Sequence, residues 1–260
     1  MSVLTFEKAL ARFYENLSCS PDEEYYHNPV GLERKQRIVT FIKGIMPRRV
    51  LDVGCGDGNI SRELLEIVDI TGVDIAPKRV SRACTLGIKV VCADVLRLPF
   101  VKGSFDCAIC SEVIEHVIYP EQLLAEIRHV LGPGGMLVLT VPLEKQGSYN
   151  SLRDIPLEDL AKLDYAVLKQ RYHVKNDHLT FFTEDKIMSM LQFGGFVVVA
   201  KEYTYDYEPR SVVHSIMVSI LHRLPFGAVH NLTRIFYKKT KQVHHLVVKA
   251  TLDKEQKTVT

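Results

Sequence analysis

No uninterrupted apolar run of 18 residues occurs in this 260-residue chain, so no helix in it is expected to span a membrane. A strong charge of either sign is also missing. Lys and Arg number 33 against 31 Asp and Glu, and the net charge of +2 gives no overall pull onto nucleic acid. Cysteine is sparse: Cys19, Cys55, Cys84, Cys92, Cys107 and Cys110 are too scattered for a disulfide framework. Cys107 and Cys110 form a C-x-x-C, but within FDCAICSEV, which reads as a buried strand. Strand alternation sends the two thiols to opposite faces, a poor geometry for one zinc ion. Free thiols predict a reducing compartment, the cytoplasm. The opening MSVLTFEKALARFYENL is charged throughout and is not expected to act as a secretory signal. Internal repeats and low-complexity tracts are absent.

What is present is the composition of an ordinary globular protein, 47% hydrophobic and 25% charged. The length suits one large domain or one domain with a lid. Short apolar runs alternate with helical patterns. RRVLDVGC (48–55), ITGVDI (70–75), IKVVCAD (88–94), FDCAICSE (105–112), GMLVLTVP (135–142) and FVVVAKEY (196–203) read as strands covered on both faces. SRELLEIV, PKRVSRACTLG and PEQLLAEIRHVLGPGG read as helices between them. Pro120 near the start and Gly132 past the end of the last one follow the usual asymmetry. HHLVVKATL (244–252) reads as a late strand. The alternation predicts an α/β fold built on a mostly parallel, doubly wound sheet. Two stretches interrupt it, at about 143–180 and 206–242, and are expected to be helical lid insertions. Residues 1–47 are expected to form an N-terminal helical cap on a domain spanning 48–260.

The stretch VLDVGCGDGNI, residues 50–60, runs from a strand into a loop with Gly54, Gly56 and Gly58. A dinucleotide fold spaces its glycines G-x-G-x-x-G, with the pyrophosphate at the helix N-terminus. That spacing requires glycine at 59, where Asn59 stands. Asp52 precedes the glycines, where it would repel a pyrophosphate but welcome an amino group or a sulfonium cation. Asp74 closes the second strand, where a carboxylate accepts from both ribose hydroxyls. Asp94 ends the third, where it can accept from an adenine amino group, with Ile75 and Val95 flanking the ring. These charges suggest a nucleoside carrying a cationic amino-acid tail.

The ordered set LDVGCGDG, GVDIA, CADVLRLPF, FDCAICSEVIEHV and LGPGG resembles the class I S-adenosylmethionine-dependent methyltransferases. The likeness covers roughly 48–142 and resumes at 178–200. It implies a Rossmann-like, seven-stranded sheet with an antiparallel last strand and S-adenosyl-L-methionine as cofactor. It further implies that Asp52, Gly54 and Gly56 line the methionine moiety, Asp74 the ribose, and Asp94 with Val95 the adenine. Ser111 falls near the methionine backbone.

SEVIEHV is the most chemically loaded stretch. If a helix starts there, Glu112, Glu115 and His116 share one face at i, i+3 and i+4. Such a trio can bind a divalent metal or take a proton from a substrate hydroxyl. It can also be plain structure, with acids at a helix start and a packed histidine. The stretch is similar to the E-x-x-E-H of quinone-biosynthesis O-methyltransferases. It is also similar to small-RNA 2′-O-methyltransferases, in which a later histidine completes a metal site. Here that histidine would be His178, with His173 a less favoured substitute. Metal ligands are therefore sought among Glu112, Glu115, His116 and His178, and a catalytic base between Glu115 and His116.

Tyr25, Tyr26 and His27 are expected over the cofactor mouth, with Arg34 reaching the methionine carboxylate or simply packing a leading helix. VVHSIMVSILHRLPF carries an apolar stripe suited to a lid, to packing on its own domain, to a dimer interface or, with Lys238, Lys239 and Lys241, to peripheral contact with a membrane surface. The function expected is methyl transfer to oxygen or carbon of a small, partly apolar acceptor. A metal-dependent RNA 2′-O-methyltransferase is the substrate-level rival, although no basic-aromatic stripe supports a nucleic-acid partner. An NAD-dependent oxidoreductase and a non-catalytic nucleoside-binding protein are the rivals of other classes.

Overall fold

The structure, a computed structural model, describes residues 5–17, 29–144, 152–174, 176–209 and 237–253. Seven strands form one sheet: β1 (Arg49–Val53), β2 (Asp69–Asp74), β3 (Lys89–Cys92), β4 (Phe105–Ser111), β5 (Leu131–Pro142), β6 (Phe196–Pro209) and β7 (Tyr237–Leu252). Their order is β3-β2-β1-β4-β5-β7-β6. β1 to β5 pair in parallel, and β7 runs antiparallel between β5 and β6. The doubly wound sheet expected from the alternation, with the antiparallel last strand that the resemblance implies, is the one observed.

The order reverses direction beside β1, between β1 and β4. Crossovers on either side leave a crevice at the carboxyl ends of these strands, the usual ligand position in an open parallel sheet. Val53, Asp74, Ser111 and Pro142 end their strands there. His245 on β7 reaches the same end because it pairs with Pro142.

The helices are α1 (Phe6–Leu17), α2 (Pro29–Ile45), α3 (Pro77–Thr85), α4 (Pro120–Val130), α5 (Leu157–Lys162), α6 (Tyr165–Tyr172) and α7 (Glu184–Phe193). One expected helix does not form. SRELLEIV makes a single 3₁₀ turn, Ser61–Glu63, followed by turns. Its cap position is Ile60, which has no side-chain acceptor, and the Ser61 hydroxyl is committed to Asp52. Pro77 and Pro120 each open their helix, where a missing N–H costs nothing.

Two apolar layers sandwich the sheet. Val53, Ala108, Cys110 and Leu139 face α4 and α7, whereas Cys107, Ile109 and Val138 face α2. Cys107 and Cys110 thus lie on opposite faces, both wholly buried, and no zinc pair forms. A third, smaller core joins the N-terminal helix to the insertion. Ala9, Leu10 and Phe13 of α1 pack with Leu152, Leu160, Leu168 and Leu179. The later insertion is narrower than 206–242, because 206–209 and 237–242 belong to the β6–β7 ladder. The apolar segment at 212–226 lies outside the described residues, as do Tyr25, Tyr26 and His27. Among the described residues no helix is long and apolar enough to cross a membrane.

Candidate active site

The glycine loop leaves β1 with φ of +70°, +54° and +81° at Gly54, Gly56 and Gly58, values that side chains rarely tolerate. This backbone swings the loop under β2. Gly54 and Cys55 both donate to the Val73 carbonyl, at 2.8 and 3.0 Å. Asp74 fixes the far side, accepting from Gly56 N and Ala76 N, each at 2.9 Å. A carboxylate has about four acceptor sites, so capacity for ribose hydroxyls remains. Burial raises the Asp74 pKa against those two N–H donors.

Asp52 is 2% exposed and accepts from Ser61 Oγ at 2.6 Å. Burial lifts its carboxyl to about 6, with the Ser61 hydrogen bond opposing and the nearby Asp74 charge adding to the rise. The Asn59 amide nitrogen is buried with no hydrogen-bond partner. At the end of β3, Asp94 is exposed and accepts from Leu96 N at 2.9 Å. Val95 is buried and Ile75 half-exposed. A bare loop, an orphaned amide donor and two carboxylates at neighbouring strand ends fit a nucleoside with a cationic tail.

Beyond β4 the chain departs from the expected helix. Glu112 has φ +56° and only a 3₁₀ turn, Ile114–His116, follows. With a left-handed residue and a 3₁₀ turn in place of an α-helix, the i, i+3, i+4 helical face expected for Glu112, Glu115 and His116 does not form. The Glu112 carboxylate accepts from Thr140 Oγ1 at 2.7 Å and lies 2.8 Å from His245 Nε2 and 3.5 Å from Arg34 Nη1. Since the single Thr140 proton goes to Glu112, Ser111 Oγ is the donor in its 3.0 Å bond to Thr140. Burial alone would push Glu112 up, but His245 and Arg34 hold it well below the usual carboxylate range. Glu112 is not among the residues whose ligand atoms group together, and Arg34 lies against Glu112 and His245.

Glu115, His116 and His178 do meet. Leu179 N and Thr180 N both donate to the Glu115 carbonyl, at 2.7 and 3.1 Å, which ties the insertion onto the 3₁₀ turn. The imidazoles of His116 and His178 then stand edge to face, 5.0 Å apart. One ligand atom from each of the three residues lies within 4.8 Å of the others. Both Glu115 oxygens are buried with no hydrogen-bond partner. His116 Nε2 lies 3.8 Å from Glu115 Oε1. Burial, then the Glu112 charge, push the Glu115 pKa well up. Burial lowers that of His116, against the opposing charge of Asp177.

Three participants carry no motif that marks them in the sequence. Asp177 offers His116 Nδ1 its carbonyl at 3.2 Å and its carboxylate at 3.4 Å. Tyr14 on α1 shares its hydroxyl proton between the His116 and Asp177 carbonyls, both at 3.4 Å. Its ring lies 5.9 Å from His116, and Phe13 and Tyr165 continue an aromatic wall. Glu144, just past β5, lies 3.2 Å from His178 Nδ1. His173 has φ +53° and caps the end of α6. It is not among the grouped ligands, whereas His178 is.

Residues 51–139 match the family described as "Methyltransferase domain". That match and the relatives below support the class I S-adenosylmethionine-dependent methyltransferase superfamily. Over 144 residues it is 32% identical to a ubiquinone biosynthesis O-methyltransferase of Xanthomonas oryzae pv. oryzae, covering 52% of this chain and 58% of the relative. A demethylmenaquinone methyltransferase of Deinococcus radiodurans is 40% identical over 121 residues, 42% of this chain and 50% of the relative. The chain thus spans little more than half the length of these curated relatives. By fold it resembles Burkholderia thailandensis 1,6-didemethyltoxoflavin-N1-methyltransferase, solved with its acceptor and S-adenosylhomocysteine. There the TM-score is 0.60 at 18% identity, covering 97% and 92% of the two chains. The superfamily's cofactor agrees with the nucleoside and cationic tail expected from the strand-end carboxylates.

Proposed function

We propose that this protein transfers a methyl group from S-adenosylmethionine to a hydroxyl oxygen of a small, partly apolar acceptor. The observation that carries the reading is Glu115, a carboxyl buried beside two imidazoles with neither oxygen hydrogen-bonded. A buried polar group without partners costs about 1–3 kcal/mol or more, which is out of place in a purely structural cluster. It is explained if an acceptor completes the site.

When bound, S-adenosylmethionine supplies a methyl group already activated by a cationic sulfur. The protein's own work is then alignment, exclusion of water and removal of one proton. The strand-end carboxylates Asp74 and Asp94 and the Gly54–Gly56 loop bind the donor, with Ile75 and Val95 beside the adenine. Asp52 and Ser111 lie toward the methionine end. His116 is the base. Asp177 holds its Nδ1–H, which leaves the Nε2 lone pair to receive the acceptor proton, and its lowered pKa keeps it neutral beforehand. Glu115 is protonated at rest and offers the acceptor oxygen a hydrogen bond. Phe13, Tyr14 and Tyr165 provide the apolar wall. Asp177 and Glu144 would repel a phosphodiester backbone, which favours a small molecule over RNA. The free thiols accord with a cytoplasmic enzyme.

The test is a screen of phenolic and alcoholic acceptors with wild type and His116→Ala. Base removal is expected to lower kcat by about 10²- to 10⁴-fold while S-adenosylhomocysteine binds normally. Unchanged turnover would remove His116 from the chemistry.

A second reading rests on the same trio. Glu115, His116 and His178 fit three ligands of a divalent ion, which would polarise the acceptor hydroxyl. Titration of the apoprotein with Zn²⁺ or Mn²⁺ distinguishes the readings. Saturable binding lost in His178→Gln supports the metal, and absence of binding leaves the metal-free base.

A further inference from the structure

His178 Nδ1 has two neighbours with opposite demands. Glu144 Oε2 lies 3.2 Å away, and an ionised carboxylate only accepts, so it requires a proton on Nδ1. The Asn176 amide nitrogen lies 2.9 Å away and only donates, so it requires a bare Nδ1. The Asn176 amide cannot rotate to resolve the conflict cheaply. Its nitrogen also bonds both Glu144 oxygens, at 3.2 and 3.0 Å, and its oxygen accepts from His178 N at 3.3 Å. Turning it would set an amide oxygen against the carboxylate.

Glu144 is firmly placed to prevail. Its backbone N–H donates to the Phe182 carbonyl at 2.9 Å, and the preceding Leu143 bridges to Phe182. Both ends of the contact thus rest on the end of β5 and the segment leading into α7. A charged acceptor also makes the stronger bond to an imidazole N–H than an amide donor makes to its lone pair.

We propose that Glu144 is a positioning residue that selects the Nδ1–H tautomer of His178 and so turns a bare Nε2 toward Glu115 and His116. The inference rests on the acceptor-site reading above for its purpose, but not for its geometry. His116 is held the same way, because both of its Nδ1 neighbours on Asp177 are acceptors. The two imidazoles then present two lone pairs and no N–H to the buried Glu115 carboxyl. That arrangement receives protons, either from an acceptor hydroxyl or from protonated Glu115, and it suits a cation equally well. With the other tautomer, His178 would donate into the cluster and one receiving position would be lost.

The experiment is long-range ¹H–¹⁵N correlation of the histidine rings in full-length protein, with His178 assigned by its loss in His178→Gln. The expected result is Nδ1–H in wild type and in Asn176→Ala, and conversion to Nε2–H in Glu144→Ala, where Asn176 becomes the sole director. Glu144→Ala should also lower kcat about 10- to 100-fold, the usual cost of losing an orienting partner, with KM for the methyl donor unchanged. Nε2–H in wild type overturns the proposal, as does Nδ1–H surviving in Glu144→Ala. If Glu144→Ala does not fold, the wild-type and Asn176→Ala spectra still decide. Because the tautomer is read without substrate, its failure is distinct from failure to find a hydroxyl acceptor.

Discussion

Replacing Asp52 by asparagine should stabilise the protein above pH 6 and weaken its hold on the cofactor. Asp52 is buried, and desolvation lifts its pKa from an ordinary 3.8 to about 6. Between those values the folded chain keeps a proton that the unfolded chain has released. Stability therefore falls as pH rises through that window, and the whole penalty is present above pH 6. A tenfold change in proton affinity is worth about 1.4 kcal/mol, so the penalty is at most about 3 kcal/mol. Asparagine keeps an oxygen for the Ser61 hydroxyl and carries no charge to desolvate. Urea unfolding of both proteins without cofactor, at about pH 4.5 and about pH 7.5, gives the difference free of other titrating groups. The Asp52→Asn variant should gain about 1–3 kcal/mol on wild type between the two conditions, and bind S-adenosylhomocysteine more weakly. A stability difference that does not change with pH would refute the buried-carboxylate argument.

Glu112→Ala leaves Arg34 and His245 facing each other in a dry site without their anion. A loss of about 3–5 kcal/mol in chemical denaturation is expected; a loss under about 1 kcal/mol would mean the pair is solvated. Gly54→Ala meets Val113 Cγ2 at 2.4 Å and forces alanine to φ +70°. It should cost about 1–3 kcal/mol, and Gly54→Ala with Val113→Ala should recover only the clash. Full recovery would show that the positive φ carries no strain.

The sheet was legible because its strands are buried on both faces and so appear as continuous apolar runs, with glycine or proline punctuating them. Asp52, Asp74 and Asp94 could be expected near one another because parallel strands deliver their carboxyl ends to one side of the sheet. Other features were not local. Spacing placed Glu112, Glu115 and His116 on one helical face, but Glu112 takes a left-handed φ, held by Thr140, His245 and Arg34 from three other elements. That network is fixed by tertiary contacts, which periodicity does not encode. Tyr14, Glu144 and Asp177 stand in segments without motifs and reach the site through a satellite core of α1 and the insertion. A lone acid between polar neighbours gives no sequence signal of what it will touch. The 3₁₀ turn in place of the helix after β1 follows from Ser61 bonding Asp52, again a contact made only once the loop has closed.

The most direct test of the account is calorimetric titration of S-adenosylhomocysteine into wild type and Asp74→Ala. Asp74 anchors the glycine loop through Gly56 and is the carboxylate assigned to the ribose. The account predicts saturable one-to-one binding to wild type, and a dissociation constant raised about 5- to 150-fold in the variant, the equivalent of about 1–3 kcal/mol for unpaired buried groups. No binding to wild type, or an unchanged constant in Asp74→Ala, would contradict the cofactor site on which the proposed function depends.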